Sequence, residues 1–208
     1  MKIIYIWDAY CGWCYGFNSV FKQFHDRHPE LNIEVISGGL FIGENSKPIG
    51  TYGYFESGNQ QIAAMFPVTF GEKNLQLIHE GTTVLDSDGP ANAFAVMREQ
   101  IPQAQWSELA FEIQQQYFVE GKSLSEVSTY TDLASKFQLD ATLLAQQLTK
   151  ALKENTLSQT DYNHARTMGV TSYPTVIAEV NGQYYDFRGQ ATTVEDLEQH
   201  YQILLKEG

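Results

Sequence analysis

The two cysteines of the chain stand three positions apart, as Cys11-Gly12-Trp13-Cys14. A thiolate opens a disulfide through a mixed-disulfide intermediate, and a second thiol within reach releases the product. Paired cysteines at this spacing therefore point to thiol–disulfide exchange. If Cys11 sits at a helix N-cap, its sulfur lies beside unpaired backbone N–H groups and the positive end of the helix dipole, which makes it the attacking sulfur. Cys14, one turn inward, is then the more buried, resolving thiol. Three other readings compete. With His25 and His28 the cysteines spell C-x2-C-x10-H-x2-H, near a zinc finger but outside its usual spacing. On one continuous helix the Cys and His pairs would be separated by about 16 Å, too far for one ion, so no metal is expected. The cysteines could also be two unrelated buried thiols, or a structural disulfide, which a reducing compartment disfavours.

A second element is Thr171-Ser172-Tyr173-Pro174-Thr175. Proline is tolerated at the start of a strand, so Pro174 could simply initiate one. Alternatively, a cis proline beside the cysteine pair would expose the backbone of Tyr173 next to Cys11, where an extended substrate could pair as an added strand.

These groups need a frame to hold them. Lys2 to Trp7 is a β-branched and aromatic run closed by Asp8, a buried strand. Trp13, Phe17, Val20, Phe21 and Phe24 recur at steps of three and four, one face of a helix ending near His28-Pro29. Leu31, Ile33 and Val35 alternate with polar residues in a second strand, and such a strand–helix–strand crossover favours a parallel pair. Near the other end, Tyr162 to Met168 reads as helix and the segment from Pro174 to Val180 as strand. Asn181-Gly182 is a two-residue hairpin signal, Gln183 to Phe187 the returning strand, and Thr193 the cap of a last helix. Between these blocks, residues 40–60 read as loop. The helical stripes Trp106, Leu109, Ala110, Ile113, Tyr117 and Leu144, Leu148, Ala151, Leu152 follow. Asp88 is expected to cap a helix from Ala91 to Arg98, with Pro90 in its first turn. The reading is an α/β chain, βαβ then αββα, with residues 1–55 and 157–208 forming one domain and 56–156 an all-helical insertion.

Composition narrows the partners. The chain has 208 residues, of which 43% are hydrophobic and 18% charged, enough apolar material for a sizeable core. Lys and Arg total 13 against 25 Asp and Glu, giving −12. A nucleic-acid backbone would be repelled on average, so none is expected as a partner. The apolar start, Ile3 to Trp7, is five residues long, far short of the ~20 that span a bilayer, and it lacks the pattern of a signal peptide. No membrane partner is expected, and the protein reads as cytoplasmic. His79, His164 and His200 are isolated, and Asp86-Ser87-Asp88-Gly89 fits helix capping better than a calcium loop. Tyr52, Tyr54 and Phe55 could flank a substrate groove or pack on the core.

The succession of strand, C-x-x-C, helix, strand, helical insertion, helix, Pro-led strand, Asn-Gly hairpin and final helix resembles DsbA-like proteins of the thioredoxin superfamily. The segment from Trp7 to Phe17, with Ser37-Gly38-Gly39-Leu40 and Pro90-Ala91-Asn92-Ala93, is similar to the FrnE-type branch, described as protein-disulfide isomerases. The resemblance implies a thioredoxin-like fold with a helical insertion, Cys11 as nucleophile, Cys14 as resolving thiol and Pro174 as a cis proline. Gly12, Trp13, Tyr173 and Pro174 would then contact substrate. Two departures stand out: Gly12-Trp13 replaces the Pro-His pair of strongly oxidising members, and Tyr5 occupies a strand position often held by an acid. Asp8 would oppose the Cys11 thiolate if it faced the sulfur.

The leading expectation is a disulfide oxidoreductase or isomerase acting on protein or small-molecule thiols and disulfides, with no bound cofactor. Glutathione could serve as reductant or co-substrate. A glutathione-dependent transferase or isomerase of the kappa type and a non-enzymatic peptide-binding module are the alternatives, and the sequence leaves oligomeric state open.

Overall fold

The structure, a computed structural model, describes residues 1–206. Strand β1 (Lys2–Trp7) leads into helix α1 (Gly12–Arg27) and strand β2 (Asn32–Ser37). Next come the short β3 (Lys47–Pro48), α2 (Phe55–Met65), α3 (Glu72–Glu80), β4 (Val84–Leu85) and α4 (Asp88–Arg98). Helices α5 (Trp106–Phe118), α6 (Val127–Thr131), α7 (Ala141–Glu154) and α8 (Ser158–Thr167) complete the middle of the chain. Strands β5 (Thr175–Val180) and β6 (Gln183–Asp186) and helix α9 (Val194–Leu204) close it.

The four-stranded sheet runs β2-β1-β5-β6. β1 pairs parallel with β2, Tyr5 opposite Val35, and antiparallel with β5, Tyr5 opposite Val176. The Asn181-Gly182 turn joins β5 to β6 with positive φ at both residues, 51° and 78°, as a type I′ hairpin requires. Alternation along the central strand divides the core. Ile3, Tyr5 and Trp7 face the large cluster under α1, α4 and α5, whereas Ile4 and Ile6 face a smaller one with Ile36 and Ala165 of α8. The first layer is aromatic: Tyr5 meets Phe21 at 4.7 Å and Trp7 meets Phe94 at 5.2 Å between ring centroids. Truncating such a buried ring typically costs about 3–5 kcal/mol.

Two glycines bring the middle of the chain onto the first helix. A Cβ at Gly12 would meet Ile62 Cδ1 at 2.8 Å, and one at Gly16 would meet Ile62 Cγ2 at 2.6 Å and the Phe66 ring at 2.7 Å. The smooth side of α1 thus admits Ile62 of α2 and Phe66 just beyond it, and α2 is held beside the cysteines. On the opposite side, Arg98 makes a bidentate pair with buried Asp161, both bonds 2.8 Å, and the same carboxylate accepts the Ser37 N–H at 2.9 Å. This ties α4 and α8 to the end of β2, the start of the loop that faces the cysteines.

Four expectations need correction. The 40–60 stretch is not plain loop. It carries β3, whose Lys47 and Pro48 pair with Leu85 and Val84 of β4, and the start of α2. By the same token the 56–156 segment is not all helical, since it contains β4. Asp88 does not cap its helix but stands inside the first turn, its N–H bonded to Asp86 Oδ1 at 3.0 Å, because the helix begins three residues earlier than the apolar pattern suggests. Trp13 does not join the core stripe of α1; it is 37% exposed and lies at a surface groove beside Cys11 instead.

Candidate functional site

Cys11 occupies the N-cap of α1, with φ −78° and ψ 108°, and its sulfur accepts the Cys14 N–H at 3.3 Å. The Cys11 N–H donates to the Asp8 carbonyl at 3.2 Å, and the Cys11 carbonyl opens the helix by accepting the Tyr15 N–H at 3.0 Å. An N–H aimed at sulfur from the first turn is the arrangement by which a helix N-terminus receives an anion. Both cysteines are free thiols in this structure. Cys14 is fully buried, and burial first, then Cys11, pushes its thiol well above the ordinary range. Cys14 therefore rests protonated. Cys11, 6% exposed, forms part of the wall of a surface groove of about 170 Å³.

The remaining walls come from four separate parts of the chain. Trp13 belongs to α1, Leu40 and Phe41 to the loop after β2, Tyr54 and Phe55 to the start of α2, and Tyr173 to the segment before β5. Among the described residues none of the groove's lining side chains is charged. Tyr54 is 55% exposed and stacks on Phe55 at 5.0 Å, forming the outer wall.

Tyr173 lies opposite Cys11, its carbonyl 3.7 Å from Cys11 Sγ. The Tyr173–Pro174 peptide bond is cis. Pro174 itself is buried, and it is Tyr173 that lines the groove. The Tyr173 phenol is pushed up to about 12, by burial first and then by the negative charge of Asp8, so it remains a donor and bonds the Gly38 carbonyl at 2.6 Å. The structure thus brings Cys11, Gly12, Trp13 and Tyr173 to one groove, with Cys14 beneath Cys11 and Pro174 behind Tyr173.

Other polar groups underpin the turn. Asp8 is 2% exposed. Its carboxyl is raised by burial, an effect opposed by N–H bonds from Leu40 and Tyr10 and by the Ser87 hydroxyl. Gln114 of α5 donates to the Asp8 carbonyl at 3.1 Å. Tyr5 reaches the Cys14 carbonyl with its hydroxyl at 3.4 Å, standing under the helix start where an acid could have stood. His25 and His28 lie at the far end of α1, bonded to Ser107 at 2.8 Å and Glu198 at 2.9 Å. Sequence reasoning did not select Leu40, Phe41, Tyr10 or Gly38 for this site. Ser37-Gly38-Gly39-Leu40 carried the available signal for the loop, but nothing in its spacing named its contacts.

The sequence profile of the DSBA-like thioredoxin domain matches residues 2–202. Among curated proteins none matches this chain in sequence. Among solved structures, the cytosolic disulfide reductase DsbM from Pseudomonas aeruginosa superposes with a TM-score of 0.81 at 20% identity, covering 100% of both chains. Its glutathione-containing form gives a TM-score of 0.78 at 19% identity, covering 99% of this chain and 100% of that one. A candidate protein disulfide isomerase from Nitrosomonas europaea gives 0.76 at 16% identity over 100% of this chain and 99% of that one. A 2-hydroxychromene-2-carboxylate isomerase gives 0.65 at 14% identity, covering 100% and 97% respectively. At these identities the likenesses concern the fold, a mixed central sheet with a helical insertion. With the profile spanning nearly the whole sequence, the chain belongs to the DSBA-like thioredoxin domain family.

Proposed function

We propose that this protein is a thiol–disulfide oxidoreductase of the reductase or isomerase kind, working through Cys11 and Cys14 in a reducing cytoplasm. The observation that carries this reading is the placement of the two sulfurs. Cys11 borders an open groove at a helix N-terminus, with Tyr173 across it, while Cys14 lies fully buried one turn inward.

The Cys11 thiolate attacks one sulfur of a substrate disulfide; a Cys11–substrate disulfide forms, the substrate S–S bond breaks, and the departing sulfur leaves as a thiolate that takes up a proton. Cys14, having lost its proton to solvent or to that departing sulfur, attacks Cys11 Sγ. The Cys11–Cys14 bond forms and the second substrate sulfur leaves as thiol. Two electrons have passed from the protein dithiol to the substrate, and an external thiol such as glutathione must return them. In isomerisation the substrate's own thiol attacks the mixed disulfide instead, with no net electron transfer. Burial of Cys14 makes its deprotonation the costly step and keeps Cys11 as the sulfur that meets substrate first.

The uncharged aromatic lining suits a cysteine flanked by apolar side chains in a polypeptide. Glutathione enters as the reductant, since the lining offers no cation for its two carboxylates. A glutathione-dependent reaction on a small molecule has one point in its favour, the shared fold of the chromene-carboxylate isomerase. The two readings separate on variants. Cys11→Ser should abolish insulin disulfide reduction, and full activity in that variant would reject the assignment. Turnover that saturates with glutathione and survives Cys14→Ser would favour the transferase or isomerase reading.

A further inference from the structure

Asp8 is a buried carboxyl three residues before the nucleophile, and the exchange steps give it no part. Keeping it there is costly in two ways. Burial disfavours its charge, and as an anion it works against the thiolate that Cys14 must become and raises the Tyr173 phenol. A group retained at such cost is held by its hydrogen bonds, and those bonds have a direction. One carboxylate oxygen accepts the Tyr10 N–H at 2.9 Å, in the turn that leads into Cys11. The other accepts the Leu40 N–H at 2.7 Å, in the loop after β2. Two residues back in that loop, Gly38 receives the Tyr173 hydroxyl at 2.6 Å, and the Tyr173 carbonyl stands 3.7 Å from Cys11 Sγ. The contacts form a closed circuit from Cys11 through Asp8, the Gly38–Leu40 backbone and Tyr173 back to Cys11.

We propose that Asp8 is a positioning residue, whose carboxylate ties the turn carrying Cys11 to the loop that seats Tyr173 and thereby sets the gap across which a polypeptide disulfide is held. The inference rests on the reading of Cys11 as nucleophile and of the Tyr173 backbone as a substrate contact. It makes Asp8 a determinant of selectivity. An extended polypeptide needs both the sulfur and the carbonyl across from it, whereas a small aromatic disulfide needs the sulfur alone. The amide in Asp8→Asn keeps the shape but turns an N–H2 group toward one of two backbone N–H donors, so one end of the tie opens.

The test compares kcat/KM for insulin and for the aromatic disulfide dithionitrobenzoate in the parent and in Asp8→Asn. Loss of one hydrogen bond to a charged group should lower the insulin-to-aromatic ratio at least about tenfold. A ratio within about twofold of the parent, including an equal loss on both substrates, would overturn the proposal, because a general loss of structure moves both together. Should the variant fail to fold, hydrogen exchange in the unaltered protein decides. The Leu40 amide, whose partner is the Asp8 carboxylate, should be strongly protected, and exchange at the rate of an exposed loop amide would overturn the tie. Cys11→Ser separates the two levels. If it stays active on insulin, the oxidoreductase reading fails whatever Asp8 does, whereas an inactive Cys11→Ser with an unchanged ratio in Asp8→Asn rejects the positioning role alone.

Discussion

Tyr173 lies directly on Gly38: a Cβ built at Gly38 would fall 2.0 Å from Tyr173 Cε1, and the phenol hydroxyl bonds the Gly38 carbonyl at 2.6 Å. No side chain fits between them. The glycine therefore brings the ring, and with it the backbone carbonyl facing Cys11, into place from the opposite side of the groove.

Gly38→Ala should displace the Tyr173 ring and the carbonyl behind it. Overpacking of this kind costs about 1–3 kcal/mol of stability, and a misplacement near 1 Å in a positioning group can cost up to about a hundredfold in rate. Thermal unfolding and kcat/KM for insulin reduction check the two parts. A variant as active as the parent would show that the ring's seat does not matter to turnover.

Cys14→Ser should leave Cys11 able to form the mixed disulfide but unable to discharge it. Incubation with a disulfide peptide followed by intact-mass measurement should show one peptide adduct per chain, mapping to Cys11 and released by added thiol. An unmodified protein would contradict the order of attack.

The contact between α2 and α1 makes a separate claim about stability. Gly16→Ala drives a methyl into Ile62 and Phe66, the nearest atoms at 2.6 and 2.7 Å, and should destabilise by about 1–3 kcal/mol. Adding Ile62→Ala makes room, so the double variant should be more stable than the sum of the two single losses. Strict additivity in denaturant unfolding would show that the two side chains do not meet.

His25 gives a pH dependence with a definite sign. Burial holds its imidazole below the ordinary 6.5, and its Nε2 is enclosed without a hydrogen-bond partner among the described residues. Below that value the unfolded chain takes up a proton that the folded one refuses. Stability is therefore full above pH 6.5 and is lost as pH falls through the unfolded value toward the folded one. Denaturant unfolding on either side of that range should show this loss, and His25→Gln should flatten it. An unchanged slope in the variant would assign the effect to other groups.

Much of this architecture was legible because its signals are short. The apolar run of Lys2 to Trp7, the Asn181-Gly182 turn, the Cys11–Cys14 spacing and Pro174 before a strand each announce themselves within a few residues. Thr193 capped the last helix as its type suggests, with Asp196 completing a capping box. What escaped the sequence depends on partners far along the chain. Asp8 meets Leu40 across 32 positions and Tyr173 meets Gly38 across 135, and no periodicity links residues so far apart. Tyr54 and Phe55 stood open between groove and core. Their role follows from where α2 is held, which depends on Gly12 and Gly16 making room for Ile62. Trp13 fitted the helical stripe by spacing, but spacing does not tell which apolar residue of a first turn borders a groove rather than the core.

The most direct test of the central claim is the equilibrium of the purified protein with mixtures of reduced and oxidised glutathione, followed by acid quenching and mass measurement of the Cys11–Cys14 pair. A single reversible transition between dithiol and disulfide, absent in Cys14→Ser, is the expected result. Two thiols that stay unpaired across the whole range of glutathione ratios would contradict it.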